Sequence, residues 1–266
     1  MGRTIKWLLL LCVFISGLTA CHQKDPKDTI RVGTIAGPET QLMKTAQHVA
    51  LNRYGLHIII VPFSDYTMPN DALNNGIIDA NMFQHIPYLE AQTREYGYKI
   101  VSVGKTFIYP MGVYSKKITR LSQLQEGATV AIPNDPSNRA RALLLLQQGQ
   151  LIQLNKNSGF NVTLLDITKN PKQLHFVEWN ASELPRALDS VDLAAINTNY
   201  AIPAGLSPKR NALIIESARS PYANIVAVRE ENKNDPRVKK LVAALHSKQV
   251  LVAAQRIFGE EAVAAW

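Results

Sequence analysis

Apolar positions along the chain alternate between short β-branched runs and longer stretches with helical spacing, and the alternation begins at residue 29. His57–Phe63 is a nearly unbroken β-branched run, the pattern of a buried strand in an α/β sheet, and Thr29–Ile35 is strand-like too. The stretch between them, 40–54, has helical spacing and stops at Gly55, where a left-handed residue is expected. A short helix over 70–75 follows, opened by Pro69 and closed by Gly76, then a strand over 77–83 and a helix near 87–97 ending at Gly97. These elements form a βαβαβ unit. Residues 98–114 read as a strand leading into a crossover, interrupted by Pro110 and Gly112. A second unit starts at 121–126, with a strand over Thr129–Pro133, a helix over Pro136–Gln148, strands over 162–167, 174–178 and 193–197, and a helix near 183–190. Strands over 212–217 and 225–229 precede a closing helix pair near 236–247 and 250–258. Two α/β units joined by extended segments predict two lobes with a cleft between them.

Composition adds a compartment. The 266 residues are 46% hydrophobic and 19% charged, ordinary for a globular protein. Residues 1–20 stand apart as a secretion leader: Arg3 and Lys6 make a basic start, 7–18 is apolar, and small residues precede Cys21. The apolar stretch is too short for the roughly 20 residues of a spanning helix. Its Leu-x-Ala-Cys ending resembles the bacterial lipobox, whose cysteine becomes the acylated first residue of the mature protein. Cys12 leaves with the leader, so Cys21 would be the only cysteine of the mature chain and would have no disulfide partner. An ordinary leader with an incidental cysteine is the alternative. Residues 21–28 hold no apolar run and read as a lipidated tether. The formal charge of +8 loses two positive charges with the leader. Export and the lack of a basic-aromatic module argue against nucleic acid as a partner; solubility, or attraction to anionic headgroups, explains the excess.

Candidate binding residues concentrate where strands end, the place at which open α/β sheets bind ligands. Tyr66, Phe83, His85 and Tyr88 read as one wall of a pocket, although the same rings would serve as core. Asp135 is a good N-cap and Pro136 suits the first helical position, so residues 134–141 open a helix whose free amides and nearby guanidinium favour an anion. Arg141 is the candidate for a ligand carboxylate, through a paired fork worth roughly 1.5–3 kcal/mol for a charged hydrogen bond. Arg139 reads as a solvated helix residue. Asn197 ends one strand and Asn224 starts another; each carboxamide offers both a donor and an acceptor, and turn chemistry explains them equally well.

The segments 30–35 (IRVGTI), 79–89 (DANMFQHIPYL), 103–110 (VGKTFIYP), 131–138 (AIPNDPSN) and 195–200 (AINTNY), with the Trp266 ending, resemble the MetQ/NlpA-type methionine-binding lipoproteins of bacterial ABC importers. The resemblance covers nearly the whole chain. It implies a two-lobed periplasmic-binding-protein fold, type 2-like, with 29–113 and 224–266 in one lobe, 114–223 in the other, and methionine closed between them. It places the aromatic cage on Tyr66, Phe83, His85 and Tyr88, the carboxylate contact on Arg141, and the backbone-group contacts on Asn197 and Asn224. It further implies a lipid anchor on Cys21, a permease with its ATPase subunit as partners, a monomer, and no cofactor. Arg139, where a neutral residue is usual, and His22, directly after the anchor cysteine, depart from the family pattern. The chemistry agrees: a thioether gains about 0.3–1.5 kcal/mol from aromatic contact beyond its burial.

Other readings compete. The cargo could be another apolar amino acid or a short peptide. A cleft enzyme has no Gly-x-Ser-x-Gly, His-Glu-x-x-His or cysteine nucleophile to support it, and His85 has no evident acid partner. A surface lipoprotein devoted to contact with other cells is a third reading. A metal site is not expected, because the histidines at 22, 48, 57, 85, 175 and 246 lack ligand spacing.

Overall fold

The computed structural model describes Pro26 and residues 28–159, 161–217, 219–259 and 262–266. The expected leader, Cys21 and most of the tether lie outside these residues.

Three parallel strands begin the fold: β1 (Thr29–Ile35), β2 (His57–Phe63) and β3 (Ala80–His85), connected by α1 (Pro38–Tyr54) and α2 (Pro69–Asn74). β1 lies between its partners, with Thr29 opposite His57 through to Ile35 opposite Phe63. α3 (Ile86–Tyr96) leads to β4 (Ile100–Ile108), after which the chain leaves this sheet. β5 (Gly112–Tyr114) already belongs to a second sheet, built with β6 (Thr129–Pro133), β9 (His175–Trp179), β10 (Leu193–Ile196) and β11 (Ile214–Ile215). α4 (Pro136–Gln148) follows β6, and a small ribbon of β7 (Gln153–Leu154) and β8 (Ile167–Lys169) stands beside it. α5 (Leu184–Ala187), α6 (Thr198–Ala201) and α7 (Pro208–Asn211) are single turns. The chain then returns to the first sheet as β12 (Ala223–Arg229), and α8 (Pro236–Leu245), α9 (Lys248–Phe258) and β13 (Val263–Ala264) complete it. The strand orders are β13-β4-β12-β3-β1-β2 and β11-β5-β10-β6-β9.

Each sheet has its own core. Leu42, Met43 and Ala46 of α1, with Leu241 of α8 and Val250 of α9, pack on Ile30, Val32, Met82 and Val226. Leu143 and Leu146 of α4 pack on Val130, Ile132 and Leu193. Each large aliphatic side chain so buried contributes about 1.5–3 kcal/mol. A third cluster joins the lobes: Ile35, Tyr66, Phe83 and Tyr88 meet Tyr114, Ile196 and Tyr200.

Three expected elements differ. The third strand starts at Ala80 rather than 77, because the Ile77 and Ile78 N–H groups donate to the Ala72 carbonyl at 2.9 and 3.3 Å and stay in the turn after α2. The strand expected over 162–167 is a 3-10 turn over Leu164–Asp166 followed by β8. There the Asp166 carboxylate accepts both the Thr163 N–H and hydroxyl, a local alternative to ladder pairing. The helix expected near 183–190 is the single turn α5, where the Ser190 hydroxyl donates to the Ala187 carbonyl at 3.1 Å.

Candidate functional site

The carboxyl ends of β1 and β3 in one lobe and of β6 and β10 in the other face a shared cavity. Tyr66, Phe83, His85, Tyr88, Arg141, Asn197 and Asn224 all stand in its wall, together with Glu39, Gln84, Tyr109, Asn138, Thr198 and Asn199. The walls come close: the space open to a water-sized sphere is about 20 Å³, far below the roughly 300 Å³ at which small-molecule pockets begin.

The ring wall is fixed through its polar tips. The Tyr66 hydroxyl donates to Asn199 Oδ1 across the cleft at 2.7 Å, and the Tyr88 hydroxyl donates to the Tyr66 carbonyl at 2.9 Å. The Tyr66 ring centroid lies 5.8 Å from that of Phe83, 5.8 Å from Tyr88 and 5.0 Å from Tyr200 of the opposite lobe. With the hydroxyls engaged, ring faces and edges are what this wall offers. Behind it, Asn70, Asn81 and Gln84 form a buried carboxamide network: Asn70 Nδ2 donates to Gln84 Oε1 at 2.8 Å, and Gln84 Nε2 donates to Asn81 Oδ1 at 3.0 Å.

His85 is the N-cap of α3, and its neighbours determine its tautomer. Nδ1 accepts the Tyr88 N–H at 3.2 Å. Nε2 faces Asn138 Oδ1 at 3.3 Å, and Asn138 Nδ2 is itself committed to Asp135, so Nε2 carries the proton. Burial, with the Arg141 charge nearby, pushes the imidazole down to about 3. The ring is neutral at physiological pH, with both nitrogens occupied inside the protein.

The helix start at residue 135 does not offer its amides freely. The Asp135 carboxylate caps α4 by accepting the Asn138 N–H at 2.8 Å. Nor is the Arg141 fork open. Nε donates to Glu216 Oε1 at 2.9 Å, Nη2 donates to Glu216 Oε2 and to the Tyr109 carbonyl, and the Tyr222 ring lies 4.5 Å from the guanidinium carbon. Glu216 also accepts the Met111 N–H at 3.1 Å. Arg141 thus ties α4 to both passages between the sheets, and Nη1 is the nitrogen left to meet a ligand oxygen.

Asn197 Nδ2 donates to Asn138 Oδ1 at 2.8 Å, while its own Oδ1 is buried with no partner among the described residues. Asn224 Nδ2 donates to Glu39 Oε1 at 3.0 Å and to the Phe83 carbonyl at 3.3 Å. Glu39 escaped the sequence reading because an acid in a helix's first turn looks like ordinary dipole complement. Tyr109, Tyr200, Tyr222 and Glu216 escaped it because partners from distant segments define them. No cluster of three or more His, Cys, Asp or Glu among the described residues is arranged to hold a metal.

Two α/β lobes closing ring-lined and polar walls over a cavity at their strand ends define a substrate-binding protein. The sequence profile of the NlpA lipoprotein family matches residues 30–266, and the chain belongs to that family. It is 49% identical to the D-methionine-binding lipoprotein MetQ of Escherichia coli K12, over 94% of this chain and 93% of that protein. Among solved structures, a periplasmic substrate-binding protein of an ABC transporter from Coxiella burnetii is 66% identical, with a TM-score of 0.87, covering 89% of this chain and 100% of that one. A nutrient-binding protein from Burkholderia cenocepacia, bound to methionine, is 49% identical with the same TM-score and coverages.

Proposed function

We propose that the protein captures methionine in the cavity between its lobes and delivers it to an ABC permease with its ATPase subunit, without turning it over. The ring wall with an acceptor-rich polar end carries this reading: it suits an apolar, polarizable side chain on an α-amino acid. Tyr66, Phe83, His85 and Tyr88 take the thioether; Arg141 Nη1 takes one carboxylate oxygen; Asn197 and Asn224 take the amino end. With 29–113 and 224–266 as one lobe and 114–223 as the other, lobe closure is the motion that traps cargo. Because the closed walls leave so little room, methionine enters when the lobes part, and its differential contacts shift the equilibrium toward closure. L-methionine is the lead cargo, with D-methionine and methionyl peptides as related candidates.

The chain works as a monomer on an acyl anchor at Cys21, on the periplasmic face of the inner or the outer membrane. Among the described residues no helix is long and apolar enough to cross a membrane. Calorimetric titration of the non-lipidated protein tests the function. Methionine should bind at one per chain and more tightly than leucine or glutamine; a tighter non-sulfur amino acid would reassign the cargo, and turnover of bound methionine would replace the receptor with an enzyme.

A further inference from the structure

We infer that Glu39, with Asn197 and Asn224, forms the ammonium subsite of the cavity, so that Glu39 makes the receptor select a free α-amino group. The inference deepens the amino-acid-receptor reading and rests on it.

Glu39 is the second residue of α1, is 1% exposed, and stands in the cavity wall. Oε2 accepts the Ile35 N–H at 3.3 Å and Oε1 accepts Asn224 Nδ2 at 3.0 Å. Among the described residues no lysine, arginine or histidine forms an ion pair with it. A buried carboxylate is costly unless paired, and the structure supplies only neutral donors. Arg141, the cation that shares the cavity, is engaged by Glu216. Burial accordingly pushes the Glu39 carboxyl well up from its usual range, against the pull of the Ile35 and Asn224 hydrogen bonds.

The two asparagines, which line the same cavity, offer a ligand the same kind of atom. Asn224 spends its NH₂ on Glu39 and the Phe83 carbonyl, which leaves its Oδ1 as the atom available to cargo. Asn197 spends its NH₂ on Asn138, and its Oδ1 is buried without a partner among the described residues. Three acceptor groups lining the same cavity complement an ammonium, which has three donors and no acceptor. The carboxylate adds charge to that match, and a charged hydrogen bond is about twice as strong as a neutral one.

The test pairs a residue change with a ligand change. Wild type and Glu39→Gln are titrated with methionine and with its des-amino counterpart, 4-(methylsulfanyl)butanoate, and folding is checked by circular dichroism. Wild type should prefer methionine strongly. Glu39→Gln should lose roughly tenfold to a hundredfold in methionine affinity, the effect of one charged hydrogen bond, with the des-amino ligand unaffected. Equal losses for both ligands, unchanged methionine binding, or a wild type that does not distinguish the two overturns the subsite alone. A wild type that binds no amino acid overturns the receptor reading and the subsite with it. If Glu39→Gln does not fold, wild-type preference for methionine over N-acetylmethionine, with Glu39→Asp retaining it, supports the subsite; equal binding of the two ligands refutes it.

Discussion

Arg141 reaches the cavity from α4 with Nε and Nη2 bound to Glu216 and Tyr109, which makes it a structural pair member as well as a candidate ligand contact. Arg141→Ala would strand the Glu216 carboxylate, which is 9% exposed in the pair. Breaking a buried pair from one side costs about 3–5 kcal/mol, so urea unfolding of Arg141→Ala should show a loss of that order along with lost methionine binding. Arg141→Met combined with Glu216→Gln should recover much of the stability and none of the binding. His85 gives the pH prediction. Its imidazole sits near 3 in the fold and near 6.5 when unfolded, so between those values the unfolded chain binds more protons and stability falls as pH drops. Melts from pH 7 to pH 4 should decline more steeply for wild type than for His85→Gln; parallel declines would contradict the buried neutral ring. Ring-bearing and polar types gathered at strand ends were legible in the sequence, and the seven side chains they marked line one cavity. Glu216 was not: its partner Arg141 lies 75 positions away, and only the packing of α4 against the passage between sheets joins them.

At the scale of elements, α1 depends on the turn before it. Gly37 adopts φ 112 and ψ −132, a conformation that carries the chain from β1 into the first turn of α1 and sets Glu39 beneath the cavity. Gly37→Ala should destabilise by about 1 kcal/mol or more, since an L side chain is strained at that φ. Methionine affinity should fall with it; a variant as stable as wild type would show that the turn tolerates a side chain. The stops of α1 and α3 were readable from glycine alone, and Gly55 and Gly97 take the expected left-handed geometry at φ 62 and φ 72. The ribbon near Asp166 was not readable, because side-chain hydrogen bonds to Thr163 there outweigh the β-branched pattern of the segment.

For the whole molecule, alternating strands and helices were enough to read two α/β lobes, whereas the order within each sheet was not. β12 returns from the second lobe to lie antiparallel between β3 and β4, a long-range pairing that no local period announces. That return places Asn224 beside Glu39. The narrow cavity and the Tyr66–Asn199 bond across the cleft describe closed lobes. Small-angle scattering should therefore record a smaller radius of gyration with saturating methionine than without it, and no change would mean that cargo enters without lobe motion. Whether this cleft holds methionine is decided by native mass spectrometry of the purified non-lipidated protein, with any retained molecule released and identified. Methionine at one per chain, either carried through purification or taken up on addition, is the expected result. A protein that carries none and takes up none contradicts it.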